Sequence, residues 1–171
     1  CSFNLMTIIN DILDFSKLEA GKLILDVKCS NLRRCIESTS DIILGKTIDK
    51  NVEFTFNIDN AISEYIEIDE NRIKQVLLNL LSNSIKFTSK GFISLDIKLI
   101  DDNYIKKYNI NYRPIVNNNT LIKFTITDTG CGIDSNDFPL LFKSFSQVNN
   151  QTTKLKNGTG LGLAISKYLV S

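Results

Sequence analysis

From Asp69 to Phe87 the chain carries a pattern that a helix packed along one side satisfies. Ile73, Val76, Leu77, Leu80, Leu81 and Ile85 recur at intervals of three and four, the spacing that lines one face of a 3.6-residue helix. Asp69 precedes the run, and its carboxylate can accept from the free N–H groups of a first turn. The spacing predicts a helix over residues 70–87. Strand-like segments flank it. Val52, Phe54, Phe56 and Ile58 alternate with polar residues, Tyr65 to Ile68 is a shorter extended piece, and Phe92 to Leu99 alternates after the Lys90-Gly91 turn. Leu121 to Thr127 reads as a further strand.

Other segments are read the same way. Leu5, Ile8, Ile9, Ile12, Phe15 and Leu18 form a wide apolar stripe, with Asn10, Asp11, Asp14 and Lys17 between them, and predict a helix over the first twenty residues. Gly21 ends it, and Lys22 to Val27 reads as extended. Ser30 or Asn31 can cap a second helix carrying Leu32, Cys35, Ile36, Ile42 and Ile43. Asp101 to Thr120 is Asn-rich, holds Pro114 and lacks periodicity; it reads as a surface loop inserted between two strands, a lid being the alternative.

The 171 residues, 43% of them hydrophobic, suffice for one ordinary domain with a core plus an extra helix. Twenty Lys and Arg against 19 Asp and Glu leave a net charge of +1, which gives no broad electrostatic basis for binding nucleic acid or an anionic membrane. No apolar run has the length of a membrane span. The chain opens on Cys1 with no signal-peptide pattern, and is read as an excerpt of a longer protein. The four cysteines include no CxxC pair, and the absence of histidine excludes a Cys/His zinc site. They read as separate reduced thiols.

Three features carry chemistry. Asp128-Thr129-Gly130-Cys131-Gly132-Ile133 directly follows a strand. Its glycines let backbone approach a ligand, and an ionised Asp, an acceptor only, suits the exocyclic amine of an adenine. Alone, the segment reads equally well as a strand-to-helix turn. Gly158-Thr159-Gly160-Leu161-Gly162-Leu163 leads into a helix from Ala164 to Val170; free N–H groups at such a start favour phosphate. It lacks the Lys-Ser/Thr of a Walker A loop and the preceding strand of a dinucleotide fingerprint, and a glycine hinge is the alternative. Asn79, Asn83 and Lys86 share one face of the 70–87 helix. Asn83 could give a neutral oxygen to magnesium and Lys86 could offset phosphate charge, or all three could be solvated positions opposite the leucine stripe.

Taken together, RIKQVLLNLLSNSIKFT, DTGCGI, LFKSFSQV and NGTGLGLAISKYLV resemble, in order and spacing, the N, G1, F and G2 boxes of histidine kinases. INDILDFSKLEAGKL is similar to the end of the second helix of their dimerisation and histidine-phosphotransfer domain. FSQV followed by Thr152, Thr153 and a basic residue resembles hybrid kinases, which carry a receiver domain further on.

The resemblance implies a two-layer α/β sandwich with a mixed sheet, preceded by one helix of a dimerisation bundle. Residues 1–20 would be that helix, and 22–171 the ATP-binding catalytic domain, lacking its final strands. It implies that Asn83 coordinates magnesium, that Asn79 lines the phosphate end and that Lys86 contacts the phosphates, Asn79 and Lys86 being the catalytic pair. Asp128 would receive the adenine amine, with Gly130, Gly132 and Ile133 shaping that wall. Phe142 and Phe145 would anchor a lid from Ser146 to Asn157. Lys154, Gly158, Thr159, Gly160, Leu161 and Gly162 would surround the triphosphate.

The sequence departs from the family pattern in places. Ser84 stands where Ala is usual, Asn157 where a first Gly is common, and Lys154 where many relatives have Arg. Gyrase-type, MutL and heat-shock-chaperone ATPases carry Glu where Asn79 stands. Asn cannot act as a general base at neutral pH, so the resemblance implies poor hydrolysis. The implied activity is protein-histidine kinase in the parent protein, in two-component or phosphorelay signalling. The cofactors would be ATP and magnesium, and the phosphoacceptor histidine would lie outside this chain. Implied partners are a second copy, through a histidine-containing dimerisation domain, and a response-regulator receiver. The domain would be cytoplasmic. A non-kinase ATPase and a degenerate nucleotide-binding module are the alternatives.

Overall fold

A computed structural model describes residues 2–48, 50–108, 121–146 and 159–170. Helix α1 (Ser2–Glu19) comes first, then strand β1 (Lys28–Asn31), helix α2 (Leu32–Thr47), and strands β2 (Val52–Ile58) and β3 (Tyr65–Ile68). Helix α3 (Glu70–Phe87) leads into β4 (Gly91–Ile100), a short helix α4 (Asp102–Lys107) and β5 (Leu121–Asp128). A 3-10 turn, Ser135–Asp137, precedes α5 (Phe138–Leu141), and α6 (Gly162–Val170) ends the described chain.

β2, β4 and β5 form one sheet, with β4 in the middle. β2 runs parallel to β4, with Phe54 opposite Ile93, and β5 runs antiparallel, with Asp128 opposite Ile93. A parallel pair needs a long crossover, and α3 lies within it. β1 and β3 make a separate antiparallel pair. The expected mixed sheet under helices is present. Ile93, Leu95 and Ile97 of β4 are fully buried and meet Ile36 and Ile43 of α2 and Leu77, Leu81 and Ile85 of α3 in one core.

Local chemistry explains the helix starts. Asn31 caps α2, its side-chain oxygen accepting from the Arg34 N–H at 2.9 Å, while its amide donates to Glu64 at 2.7 Å. Asp69 caps α3 at the Arg72 N–H (3.2 Å), and its other oxygen takes the Asp26 N–H at 2.9 Å, tying the segment after α1 to the same cap. The far end of α3 is held by Lys50, whose Nζ donates to the Ile85 carbonyl at 2.7 Å.

Two expectations are corrected. The 101–120 segment is not a loop throughout: Asp101 accepts from the Tyr104 N–H at 2.8 Å and caps α4. Residues 109–120, Pro114 among them, lie outside the described residues. Residues 22–27, read as extended, precede the first paired strand, which begins at Lys28. Phe56 is 38% exposed rather than buried with Val52, Phe54 and Ile58; its ring stacks on Phe54 at 6.4 Å.

Among the described residues Cys29, Cys35 and Cys131 are free thiols. Burial, with the Glu70 carboxylate adding to it, pushes the Cys35 thiol up to about 11. A neutral, buried thiol is a poor nucleophile. Iodoacetamide at pH 7.5 is therefore expected to alkylate Cys29 and Cys131 in the native protein and to spare Cys35 until the chain is unfolded. Peptide mass mapping checks this, and native-state labelling of Cys35 would contradict the α2–α3 packing.

Candidate functional site

α3 gives the site its axis. Asn79, Asn83 and Lys86 follow at intervals of four and three and are all half-buried. Asn79 meets the start of α6: its Nδ2 donates to Ser166 Oγ at 2.8 Å. A Cβ on Gly162 would overlap the Asn79 side chain. Gly162 is thus needed for the close approach of α6 to α3, a packing role beside any contact with a ligand. Leu161 and Ile165, both buried, pin the same turn. Lys86 lies over the Phe87 ring, its Nζ 5.1 Å from the centroid.

Next to Asn83, Ser84 holds the carboxylate of Asp128, which closes the other end. Asp128 is the last residue of β5. Its Oδ2 accepts from Ser84 Oγ at 3.0 Å and its Oδ1 from the Gly130 N–H at 3.0 Å. The loop that follows is fixed at its root. Thr129 N–H donates to the Phe92 carbonyl at 3.2 Å, and Thr129 Oγ1 accepts from the Phe92 N–H at 3.0 Å. Gly132 has a φ of +71°, which glycine adopts without strain. Ile133 is 52% exposed beside it.

The third group lies around the root of α6. The Phe145 N–H donates to the Gly160 carbonyl at 3.1 Å, and Phe145 itself holds a φ of +61°. Gly160 also has positive φ, and a Cβ there would press on the backbone of Phe145 and Ser146. Thr159 Oγ1 accepts from the Leu161 N–H at 3.2 Å. The Lys167 ammonium lies 5.5 Å from the Phe142 ring centroid. The structure thus joins Asn79 to Gly162, Ser84 to Asp128 and Gly130, and Phe145 to Gly160. Lys154, Gly158 and most of the expected lid lie outside the described residues.

Sequence reading missed a set of contacts from α1. Asp14 accepts from both nitrogens of the Arg72 fork, at 2.6 and 3.1 Å, and from Gln75 Nε2 at 2.9 Å. Burial alone would raise the Asp14 carboxyl, but hydrogen bonds from Arg72 and Gln75 outweigh it and hold the group below the usual Asp value. Asp11 accepts from Thr159 Oγ1 at 3.2 Å. Burial raises its carboxyl, against the lowering by Thr159, and neighbouring Asp14 adds to the rise. Phe15 meets Phe145 edge-on at 5.5 Å. The polar residues that lie between the apolar positions of α1 include two, Asp11 and Asp14, that face the rest of the chain. Ile8, Ile9, Ile12 and Leu13 stay exposed. The only sequence signal is the shared spacing of three in Asp11/Asp14 and Arg72/Gln75.

Residues 68–171 match the family described as histidine kinase-, DNA gyrase B- and HSP90-like ATPase. The chain belongs to that family. Its resemblance to histidine kinases holds across nearly the whole length. Hybrid signal transduction histidine kinase B of Dictyostelium discoideum is 38% identical over 165 residues, covering 96% of this chain and 8% of that protein. The histidine-protein kinase BarA of Escherichia coli K12 is also 38% identical, over 98% of this chain and 17% of its own length. This chain therefore spans less than a fifth of either relative. Among solved structures, full-length ShkA in complex with AMPPNP superposes with a TM-score of 0.72 at 25% identity, over 96% of this chain and 30% of that one. The catalytic domain of histidine kinase ThkA, in a nucleotide-free form, gives 0.59 at 25% identity, over 85% and 80%. Among the described residues no helix is long and apolar enough to cross a membrane.

Proposed function

We propose that this chain is the ATP-binding part of a protein-histidine kinase, with α1 the end of a dimerisation and phosphotransfer helix and residues 22–171 the catalytic domain. The observation that carries the reading is the seating of α6 on Asn79. It brings a glycine-rich helix start against α3, whose next turns carry Asn83, Lys86 and Ser84, the last holding Asp128 at the end of β5.

In this reading Asp128 takes the base amine, with Gly130, Gly132 and Ile133 as the wall of the base pocket. Asn79, Lys86, Thr159, Gly160, Leu161 and Gly162 face the phosphates, and Lys154 and Gly158, outside the described residues, are assigned to phosphate binding by the family resemblance. Phe142 and Phe145 form the root of the lid. Asn83 fits a magnesium ion: it offers one neutral oxygen, which suits an ion already carrying phosphate and water oxygens. Among the described residues no group of three or more His, Cys, Asp or Glu makes a separate metal cage. The ion would supply charge neutralisation at the phosphates.

The residues of this chain would bind and orient ATP. A histidine nitrogen from outside the chain attacks the γ-phosphorus, and the bond to the ADP oxygen breaks. The chain itself contains no histidine. Asn79 supplies no base to activate water, so catalysis is positioning and electrostatics. Transfer onward to an aspartate of a receiver, self-association through the exposed apolar face of α1, and a cytoplasmic setting belong to the same proposal.

The test uses a fluorescent ATP analogue. Magnesium is expected to tighten binding to the wild-type chain; Asn83→Ala should lose about tenfold and most of the magnesium dependence, and Asp128→Ala about tenfold. Adding a histidine-containing dimerisation domain with ATP should then yield acid-labile phosphate. Unchanged binding in both variants would sink the site assignment.

A further inference from the structure

We infer that Ser84 is a positioning residue that sets base specificity, by locking Asp128 as an acceptor aimed at an exocyclic amine; this rests on the nucleotide-site reading above. Ser84 is 6% exposed and sits on α3, while Asp128 stands exposed at the end of β5. An exposed carboxylate is ordinarily free to rotate. Here it is held at both oxygens from two different elements: Ser84 Oγ donates to Oδ2 and the Gly130 N–H to Oδ1, each at 3.0 Å.

Each carboxylate oxygen has room for about two hydrogen bonds. One position on each is filled, and the positions left over point in a fixed direction. A base with an amine there donates to a waiting acceptor. A base with a carbonyl there sets oxygen against oxygen. The serine adds a second element of selection. Its hydroxyl could by itself donate to a carbonyl, but its proton is committed to Asp128, so the pair presents no donor. Alanine at 84 removes one of the two holds. Asp128 then pivots on the Gly130 contact alone, and ordering it becomes part of binding an adenine nucleotide. Alanine is smaller than serine and the better helix former, so the substitution leaves α3 intact.

The experiment measures Kd for ATP and for GTP by calorimetry with magnesium, in the wild type, Ser84→Ala, Ser84→Thr and Asp128→Ala, with a melting curve for each. Ser84→Ala is expected to weaken ATP about threefold to tenfold and leave GTP unchanged, so that the ATP:GTP preference falls by the same factor. Ser84→Thr, which keeps the hydroxyl, should restore the preference. Asp128→Ala should erase it. An unchanged ATP:GTP ratio in Ser84→Ala overturns the role of Ser84, and so does equal weakening of both nucleotides. If Asp128→Ala still erases the preference, the nucleotide site survives that result. If Asp128→Ala binds ATP as the wild type does, the site reading fails and this inference fails with it.

Discussion

Gly130→Ala is expected to destabilise the chain by about 2–3 kcal/mol and to abolish detectable ATP binding at concentrations that saturate the wild type. A Cβ at position 130 would lie 2.8 Å from the Phe87 carbonyl oxygen, 3.1 Å from its carbon and 2.9 Å from Asp128 Oδ1. Real Cβ atoms do not come that close to backbone, so something must move. Phe87 closes α3, whose last turn is tied by Lys50 to Ile85 and by the Thr88 N–H to Ser84. That side cannot give cheaply. The loop must back away instead, which breaks the Gly130–Asp128 hydrogen bond and the weaker one from the Cys131 N–H to the Phe87 carbonyl.

Gly132 makes the contrast. Its φ is +71°, but a Cβ there meets nothing within 4 Å. Gly132→Ala therefore costs conformational strain alone, on the order of 1 kcal/mol. Thermal melting separates the two, with a drop of roughly 5–10 °C expected for Gly130→Ala and a smaller one for Gly132→Ala. A Gly130→Ala variant that melts and binds like the wild type would show that this loop does not pack on the end of α3.

What could be read from the sequence, and what could not, divides by range. α3 was legible because its cap, period and stripe are all local, and the helix runs from Glu70 to Phe87 as the spacing predicts. β4 was legible for the same reason: a period of two with one wholly apolar face. β1 was not. Lys28-Cys29-Ser30-Asn31 has no alternation and is a strand because β3 lies beside it. α4 was hidden by the composition around it, although Asp101 was an ordinary cap. In the candidate site, the glycine boxes and the α3 face were visible as residue types. The bonds that assemble them were not: Ser84 and Asp128 are 44 residues apart, Asn79 and Ser166 87, and Asp14 and Arg72 58. Ser84 is the instructive case. In the sequence it is only a departure from the usual Ala; its bond to Asp128 is what gives it a role.

The link between Asp14 and Arg72 carries the other large effect. Asp14→Ala is expected to loosen α1 from the rest of the chain by about 2–3 kcal/mol, a shift of roughly thirtyfold to more than a hundredfold in the docked population. The Asp14 side chain is 13% exposed and that of Arg72 24%. The pair is therefore sheltered, forked and shared with Gln75, unlike an exposed ion pair of small worth. Removing the carboxylate leaves the guanidinium half-buried with Gln75 as its remaining acceptor, at 2.7 Å.

The rest of the seam is less tightly filled. An open surface pocket of about 240 Å³ lies among Phe15, Leu18, Phe142 and α6, and no other ion pair is found there among the described residues. The two acids of α1 respond to pH in opposite directions. Asp14, held below its ordinary value, stabilises docking above the unfolded Asp value, and that contribution is lost as pH falls through its depressed folded value. Asp11, raised by burial, opposes docking while ionised, and that penalty is relieved as pH falls through its raised value. Acidification should therefore tighten α1 first, as Asp11 takes up its proton, and release it only below the ordinary Asp range. Asp11→Asn should reproduce the tightening at neutral pH. Hydrogen exchange of the α1 amides, compared with those of α3, reads all three effects. Exchange in α1 that is indifferent to Asp14→Ala would mean the helix is held by its apolar contacts with Phe145 and α6 rather than by the Arg72 clamp.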